Sequence, residues 1–194
     1  MKFDVIIIGG GLAGITAATA LQQAGLKCVV VSEGLSLNEA PGKAFRACGG
    51  TILPGDRVTG GTFSGDRLLS VNTEKLAPTA LEADFFILAT GKYFSRGIMA
   101  DMDKVYEPVF GLDVEYDADR STWFNPDFSQ PQRFLEFGVR TLDGCALRNG
   151  RPIVNLFPAG EVLAGLTGSQ GDASGRIRRS GLDAAETILK GRKG

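Results

Sequence analysis

The N-terminal part of the chain alternates between short apolar runs and amphipathic stretches. Residues 5–8 and residues 27–32 are apolar runs in which any polar members stand only at the ends. Such runs are typical of parallel strands that are covered on both faces. Between them, apolar residues recur at helical spacing over residues 15–24, and Gly25 follows as a stop. The pattern predicts a β-α-β unit with a right-handed crossover.

The remaining pattern predicts a single α/β domain with three layers. A buried strand is expected over residues 83–89, another strand over residues 155–159, and a closing helix over residues 175–190. Shorter elements are expected between them: a helix over residues 38–48, ended by Gly49 and Gly50, and strands over residues 51–53, 58–63 and 67–73. We interpret the three short strands as a small antiparallel β-meander laid over a central parallel sheet.

Glycines mark the turn between the first strand and the first helix. They follow the pattern Gly9-x-Gly11-x-x-Gly14, with Leu12 and Ala13 between the last two. The first glycine permits a tight turn, the second lets the backbone approach a pyrophosphate, and the third lets the helix pack closely on the strand. The helix start also directs N–H groups at an anion. Because strand, glycines and helix occur in this order, a dinucleotide site is favoured over a ligand-free turn of the same shape.

An acidic residue is expected to close the second strand and to hold the adenosine ribose hydroxyls. Ser32 stands at the usual position, and Glu33 follows it. Either residue, or both together, is a candidate partner of the ribose, and the sequence leaves that choice open.

A second glycine-rich loop precedes the C-terminal helix. The strand over residues 155–159 leads into Gly160 and Glu161. Further glycines follow before the helix: Gly165, Gly168, Gly171 and Gly175. Two glycine-rich helix starts in one small domain suit a long ligand, with phosphates at one end and an electron-rich ring at the other.

The composition excludes several other classes of function. The 194 residues include 21 basic and 22 acidic side chains, so the net charge of −1 offers no general attraction to nucleic acid or to an anionic membrane. No apolar run has the length of a membrane span. The sequence has 3 cysteines without a C-x-x-C motif, typical of reduced thiols in a cytoplasmic protein. It has no histidine, which excludes a histidine base and any Ser-His-Asp arrangement.

Residues 92–151 are less regular. The segment carries many carboxylates, including Asp101, Glu107 and Asp119, which we interpret as a solvated face rather than a metal site. Its many aromatic residues are interpreted as packing residues rather than as a cofactor cage.

Three motifs in this order resemble the glutathione-reductase-like FAD-dependent oxidoreductases: Gly9-x-Gly11-x-x-Gly14, Ala89-Thr90-Gly91 and Ala159-Gly160-Glu161. Stretches within residues 49–56, 88–97, 107–114, 137–139 and 155–171 resemble in particular the B-subunit family of anaerobic glycerol-3-phosphate dehydrogenases. The resemblance covers nearly the whole chain. It implies a Rossmann-like FAD/NAD(P)-binding fold and a flavin-dependent oxidoreductase subunit.

The resemblance implies FAD as the cofactor, with FMN as the alternative. Glu161 would hold a ribityl hydroxyl of the flavin, and the segment Ala89-Thr90-Gly91 would pass near the pyrophosphate or the adenosine. Gly171 and Gly175 would direct helix N–H groups at the pyrimidine edge of the flavin.

Three basic residues are weaker candidates. Lys92 and Arg96 are considered as phosphate or ring contacts, with a solvated position as the favoured alternative. Arg176 would add positive charge at the pyrimidine edge or would be solvated, and the sequence favours neither.

Family members are longer than this chain. The difference falls near residues 34–50, where the superfamily inserts a substrate or cap domain, so we expect that domain to be reduced or absent.

The resemblance implies catalytic and membrane-anchoring partner subunits, a small-molecule redox substrate, and a place in the cytoplasm at the inner face of the membrane. No catalytic residue and no metal is assigned. The alternatives are a stand-alone FAD-dependent enzyme acting on another small substrate, or a non-catalytic Rossmann-like binding or scaffold subunit.

Overall fold

A computed structural model describes residues 1–34, 40–167 and 172–192. Its largest element is a seven-stranded sheet with the strand order β3-β2-β1-β6-β5-β4, in which β14 also pairs with β6. The strands are β1 Lys2–Ile8, β2 Cys28–Ser32, β3 Thr51–Pro54, β4 Val58–Ser64, β5 Arg67–Thr73, β6 Leu81–Leu88, β7 Met99–Ala100, β8 Val105–Tyr106, β9 Val114–Glu115, β10 Gly138–Val139, β11 Thr141–Leu142, β12 Cys145–Arg148, β13 Arg151–Pro152 and β14 Leu156–Pro158. The helices are α1 Leu12–Gln23, α2 Ala40–Ala47 and α3 Ala173–Gly191.

The centre of the sheet is parallel and is buried on both faces. Strand β1 pairs in parallel with β2 on one side and with β6 on the other. Because successive side chains of a strand point to opposite faces, an apolar run supplies two cores at once. Val5 and Ile7 pack with the residues of α1 and α3, whereas Ile6 and Ile8 pack with residues of the segment 98–153. Helices, sheet and that segment form the three predicted layers.

The short strands differ from the prediction in their placement. Strand β3 pairs in parallel with β2 and extends the parallel sheet, so its assignment to the antiparallel meander was wrong. Strands β4 and β5 do form an antiparallel hairpin, and β5 pairs antiparallel with the first residues of β6. The hairpin therefore continues the sheet, and the layer over it comes from the segment 98–153.

The acidic segment is only partly a solvated face. Asp101 is exposed and Asp117 is partly exposed, and both accept hydrogen bonds from backbone N–H groups in their own loops. Glu107 was wrongly placed on that face, since it is 2% exposed and accepts N–H groups of Val109 and Phe110 at 2.9 and 2.8 Å. Desolvation raises the pKa of Glu107 although these hydrogen bonds oppose the shift.

The helices close the other face of the sheet. Gly25 at φ 88° ends the turn after α1, and its N–H donates to the carbonyl of Gln22. Helix α2 ends before Gly49, which also has a positive φ of 87°. The predicted start of that helix at Asn38 lies outside the described residues. None of the helices in the described part of the chain is long and apolar enough to cross a membrane.

Candidate functional site

A cavity of about 760 Å³ lies where the carboxyl ends of β1, β2 and β6 meet the start of α1. This volume lies within the range of small-molecule and cofactor sites, and open parallel sheets bind ligands at this edge. The cavity is lined by Ile8, Gly9, Gly10, Gly11, Val31, Ser32, Glu33, Gly34, Asp56, Arg57, Val58, Thr59, Ala89, Thr90, Gly91, Ser95, Arg96, Met99, Pro108, Val109 and Glu161.

The three glycines of the first motif are required for different reasons. Gly9 has φ +104°, and a Cβ there would lie 2.2 Å from the carbonyl oxygen of Ala89. A Cβ at Gly14 would lie 2.1 Å from the carbonyl oxygen of Gly9. A Cβ at Gly11 would meet no described protein atom within 4 Å, although Gly11 lines the cavity. Gly9 and Gly14 are therefore needed for internal packing, whereas Gly11 leaves room in the cavity itself.

The start of α1 faces the same space without a side-chain cap. Gly11 is the N-cap residue, and its carbonyl accepts the N–H of Ile15 at 2.9 Å. The first turn of α1 carries no acidic side chain. The N–H groups that open a helix have no intrahelical acceptor, so this helix start suits a phosphate group. The residues present thus fit the pyrophosphate of a dinucleotide. Leu12 and Ala13 are not lining residues, and Ala13 is buried where α1 packs against α3.

The residues after β2 line the other end of the cavity. Ser32 is 8% exposed, whereas the side chain of Glu33 is 45% exposed. Glu33 stands 3.7 Å from Arg57 Nε and 3.8 Å from Arg96 Nη2. Both candidate ribose partners therefore line the cavity, and Glu33 has the more accessible side chain.

The segment after β6 forms the wall of the cavity opposite β2. The N–H of Ala89 donates to the carbonyl of Ile8 at 2.8 Å, which keeps the two strand ends together. Gly91 has φ +74°, and a Cβ there would lie 2.3 Å from Ser95 Oγ. Thr90 Oγ1 is buried without a hydrogen-bond partner among the described residues.

Lys92 does not fit either prediction made for it. It is 8% exposed and is not a lining residue. Its Nζ donates to the carbonyls of Leu135 and Leu166, the second at 3.1 Å. Burial lowers the pKa of Lys92 to about 8, although the nearby carboxylates Glu161 and Glu136 oppose the shift. Lys92 therefore binds two backbone segments together and is not a solvated group.

Glu161 lines the cavity directly after Gly160. Gly160 has φ +79°, and its N–H donates to Ser180 Oγ of α3 at 2.8 Å. Two strands, β1 and β6, separate the end of β2 from the end of β14. At a strand spacing of about 4.8 Å, Glu33 and Glu161 follow strands that lie about 14 Å apart. A ligand that contacts both must be long.

The start of α3 is described only from Asp172 onward. Gly175 is not a lining residue, and its N–H donates to the side chain of Asp172, the N-cap residue, at 2.9 Å. Gly171 lies outside the described residues. Arg176 Nη2 donates to the carbonyl of Thr167 at 3.4 Å. The contact between this helix and a flavin pyrimidine edge stays a prediction.

Several lining residues lack a motif in the sequence. They come from the turn between β3 and β4, from the start of β4, from the segment between β6 and β7, from the start of β7, and from the segment after β8: Asp56, Arg57, Thr59, Ser95, Met99, Pro108 and Val109. Asp56 is 3% exposed. Desolvation opposes its ionisation, but hydrogen bonds from the Thr73 side chain and from the N–H groups of Lys75 and Arg57 lower the pKa of Asp56 overall. The Asp56 carboxylate thus fixes the turn that carries Arg57.

Comparisons with known proteins agree with this geometry. The sequence model of the FAD binding domain family matches the chain in two overlapping pieces, residues 4–44 and 34–175. The B subunit of anaerobic glycerol-3-phosphate dehydrogenase from Aliivibrio fischeri (strain MJ11) is 37% identical over 171 residues, 81% of this chain and 38% of that protein. The corresponding B subunit from Vibrio cholerae serotype O1 is 38% identical over 135 residues, 68% of this chain and 31% of that protein.

The fold itself recurs in solved structures. A thioredoxin reductase from Gloeobacter violaceus superposes with a TM-score of 0.59 at 15% identity, over 100% of this chain and 96% of that one. At this identity the likeness concerns the fold alone. The predicted α/β, Rossmann-like fold class is confirmed.

The fold and the sequence match together define an FAD binding domain of the Rossmann-like α/β class. The chain belongs to the FAD binding domain family, which confirms FAD as the predicted cofactor. The resemblance to anaerobic glycerol-3-phosphate dehydrogenase B subunits is confirmed as well. The chain spans well under half the length of these curated relatives. The reduced cap domain stays a prediction.

Proposed function

We propose that this chain binds FAD in the cavity and carries electrons as part of a glycerol-3-phosphate dehydrogenase of the anaerobic, quinone-linked type. The observation that carries the proposal is Gly11, where a Cβ would meet no atom of the described residues within 4 Å, beside a helix start without a side-chain cap. Protein packing does not explain a glycine there, whereas close approach of a pyrophosphate does.

The residues of the cavity would hold FAD along its length. The backbone from Gly9 to Gly11 and the start of α1 would bind the pyrophosphate. Glu33 would accept hydrogen bonds from the adenosine ribose, and Glu161 from the ribityl chain. Bound FAD supplies an acceptor for two electrons.

The chemistry on the substrate is proposed for a partner subunit. Oxidation of glycerol 3-phosphate to dihydroxyacetone phosphate removes a hydride from C2 and needs a base for the alcohol proton. It also needs cationic groups for the substrate phosphate. The sequence contains no histidine. Among the described lining residues the cations are Arg57 and Arg96, and both stand beside Glu33 at the end assigned to adenosine. The names of the relatives support an assembly of several subunits. The proposed site of action is the inner face of the membrane, reached through a partner.

Flavin binding by the purified chain tests the proposal. The chain is incubated with FAD or FMN and desalted, and the visible absorbance of the protein fraction is recorded. We expect retained FAD in the wild type.

The variant Gly11→Val should lose FAD with an unchanged circular dichroism spectrum, because the new side chain would fill the pyrophosphate position. Gly60→Val is the matched control, since Gly60 also has open space around its Cβ position but lies outside the cavity.

Other outcomes distinguish the alternatives. A wild type that retains neither flavin would favour the scaffold alternative. Reduction of the bound flavin by glycerol 3-phosphate without any partner would favour a stand-alone enzyme. Retained FAD in Gly11→Val would contradict the pyrophosphate assignment.

A further inference from the structure

Three charged side chains from separate segments meet at one end of the cavity. Glu33 follows β2, Arg57 lies in the turn before β4, and Arg96 lies in the segment after β6. All three line the cavity. We call these three residues the Glu33 cluster. From its geometry we infer that Arg57 and Arg96 are specificity-determining residues, which make the cavity select a flavin dinucleotide over a flavin mononucleotide. This inference rests on the proposed function.

The distances within the cluster leave Glu33 able to bind a ligand. Arg57 Nε stands 3.7 Å from Oε1 of Glu33, and Arg96 Nη2 stands 3.8 Å from Oε2. Both distances exceed the 2.7–3.2 Å of an N–H···O hydrogen bond, so in these two pairs the arginines attract the carboxylate without occupying its lone pairs. Because each oxygen faces a different arginine, the carboxylate is held between them. It can still accept hydrogen bonds from two ribose hydroxyls.

The position of the cluster explains why it would distinguish the two flavins. The cluster follows β2, the start of α1 follows β1, and Glu161 follows β14 beyond β6. A mononucleotide with its ring near Glu161 would end in a single phosphate at the start of α1. Only a ligand with a second nucleoside beyond the pyrophosphate would reach the Glu33 cluster. The two guanidinium groups would then lie beside that nucleoside, where arginine commonly stacks on planar rings.

The backbone of Arg96 provides independent support. Its φ is 58°, a conformation that costs a residue other than glycine free energy. The turn is held by the N–H of Arg96, which donates to the carbonyl of Tyr93 at 3.1 Å, and by the N–H of Gly97, which donates to that of Lys92 at 2.9 Å. Glycine would adopt this turn more easily. The ion pair between Arg96 and Glu33 is long, and the Arg96 side chain is 63% exposed. The pair therefore contributes little to the stability of the fold. A contact with a ligand gives a reason for arginine at this position.

Affinities for three probes test the inference. FAD, FMN and ADP are titrated against the wild type, against the double variant Arg57→Gln/Arg96→Gln and against Arg179→Gln. Arg179 is the matched control, because it also pairs with two exposed carboxylates, Asp183 and Glu186, but lies on α3 outside the cavity. In the double variant we expect FAD and ADP to bind about tenfold more weakly and FMN to change less than about twofold. Arg179→Gln should leave all three affinities unchanged.

A second variant separates ligand binding from structural support. Arg96→Gly removes the side chain and relieves the backbone, so the melting temperature of the unliganded protein should stay the same or rise. FAD affinity should nevertheless fall and FMN affinity should not. If Arg96 had only a structural role, its removal would lower the melting temperature and would weaken the binding of FAD and FMN to the same extent.

The outcomes are distinguishable from those of the proposed function. If the wild type binds neither flavin, the proposed function and this inference both fail. If it binds FAD but the ratio of FAD to FMN affinity is the same in wild type and double variant, only the selectivity assigned to Arg57 and Arg96 is overturned.

Discussion

At the scale of single residues, the same amino acid serves different purposes within one motif. Gly14 is needed because the helix lies against the carbonyl of Gly9, and Gly9 because the turn lies against Ala89. Gly11 has no such neighbour in the part of the chain that the structure describes. Sequence spacing identifies all three positions, but only the surrounding atoms show which of them are needed for packing and which has open space beside it.

The difference predicts opposite behaviour for two substitutions. Gly14→Ala should lower the free energy of unfolding by about 2 kcal/mol, because its Cβ would overlap the Gly9 carbonyl. Gly11→Ala should cost less than about 1 kcal/mol, the difference between glycine and alanine at an N-cap. Urea denaturation without flavin measures both. Equal losses of stability in the two variants would contradict the separate roles.

Charged residues show how far sequence reasoning extends at this scale. Glu33 was predicted because it follows a recognisable strand. Arg57 was not, because a turn between short strands carries no signal for the cavity that it lines. Lys92 was predicted wrongly, since a lysine close after a strand looks solvated unless the approach of Leu135 and Leu166, distant in sequence, is known.

At the scale of elements, apolar continuity identified the central strands. Strands β1, β2 and β6 were predicted within a few residues of their ends, because burial on both faces leaves an unbroken apolar run. Strand β3 was assigned to the wrong group. Its residues are only partly buried, and the sequence of such a short strand does not indicate whether it pairs with β2 or with β4.

The contact between α1 and α3 provides a prediction at this scale. A Cβ at Gly181 would lie 2.3 Å from the carbonyl oxygen of Ala13, so the two helices approach as closely as a glycine allows. Gly181→Ala should lower the free energy of unfolding by about 2 kcal/mol, although alanine normally favours a helix interior by about 1 kcal/mol. Thermal or urea unfolding measures the change.

Gly191 of the same helix is the control, because its Cβ position is open. Gly191→Ala should leave the stability unchanged or raise it slightly. A stabilising effect of Gly181→Ala would show that the helices can separate without cost.

At the scale of the whole molecule, Lys92 links the sheet to the layer that covers it. The residue follows β6, and its ammonium group binds carbonyls of the segments around Leu135 and Leu166. The pKa of Lys92 is lowered to about 8 from 10.5. Between these two pH values the unfolded chain binds more protons than the folded one, so this lysine makes stability rise with pH.

We therefore predict a pH-dependent difference between wild type and Lys92→Met. From pH 8 to pH 10.5 the wild type should gain up to about 3 kcal/mol of unfolding free energy relative to the variant. Urea denaturation at several pH values measures both curves, and comparing the two cancels other titrating groups. If the unfolding free energies of wild type and variant changed in parallel with pH, the lowered pKa of Lys92 would be contradicted.

The sequence alone determined the parts of this protein that depend on local order. The central β-α-β unit, the glycine turn, the fold class and the flavin family follow from residues adjacent in the chain, because burial and turn geometry restrict which residue types occur there. The tertiary structure decided what distant segments do together. It placed Arg57 and Arg96 beside Glu33, buried Lys92 and Glu107, and joined β3 to the parallel sheet. Such contacts depend on the packing of whole elements, which no local pattern records.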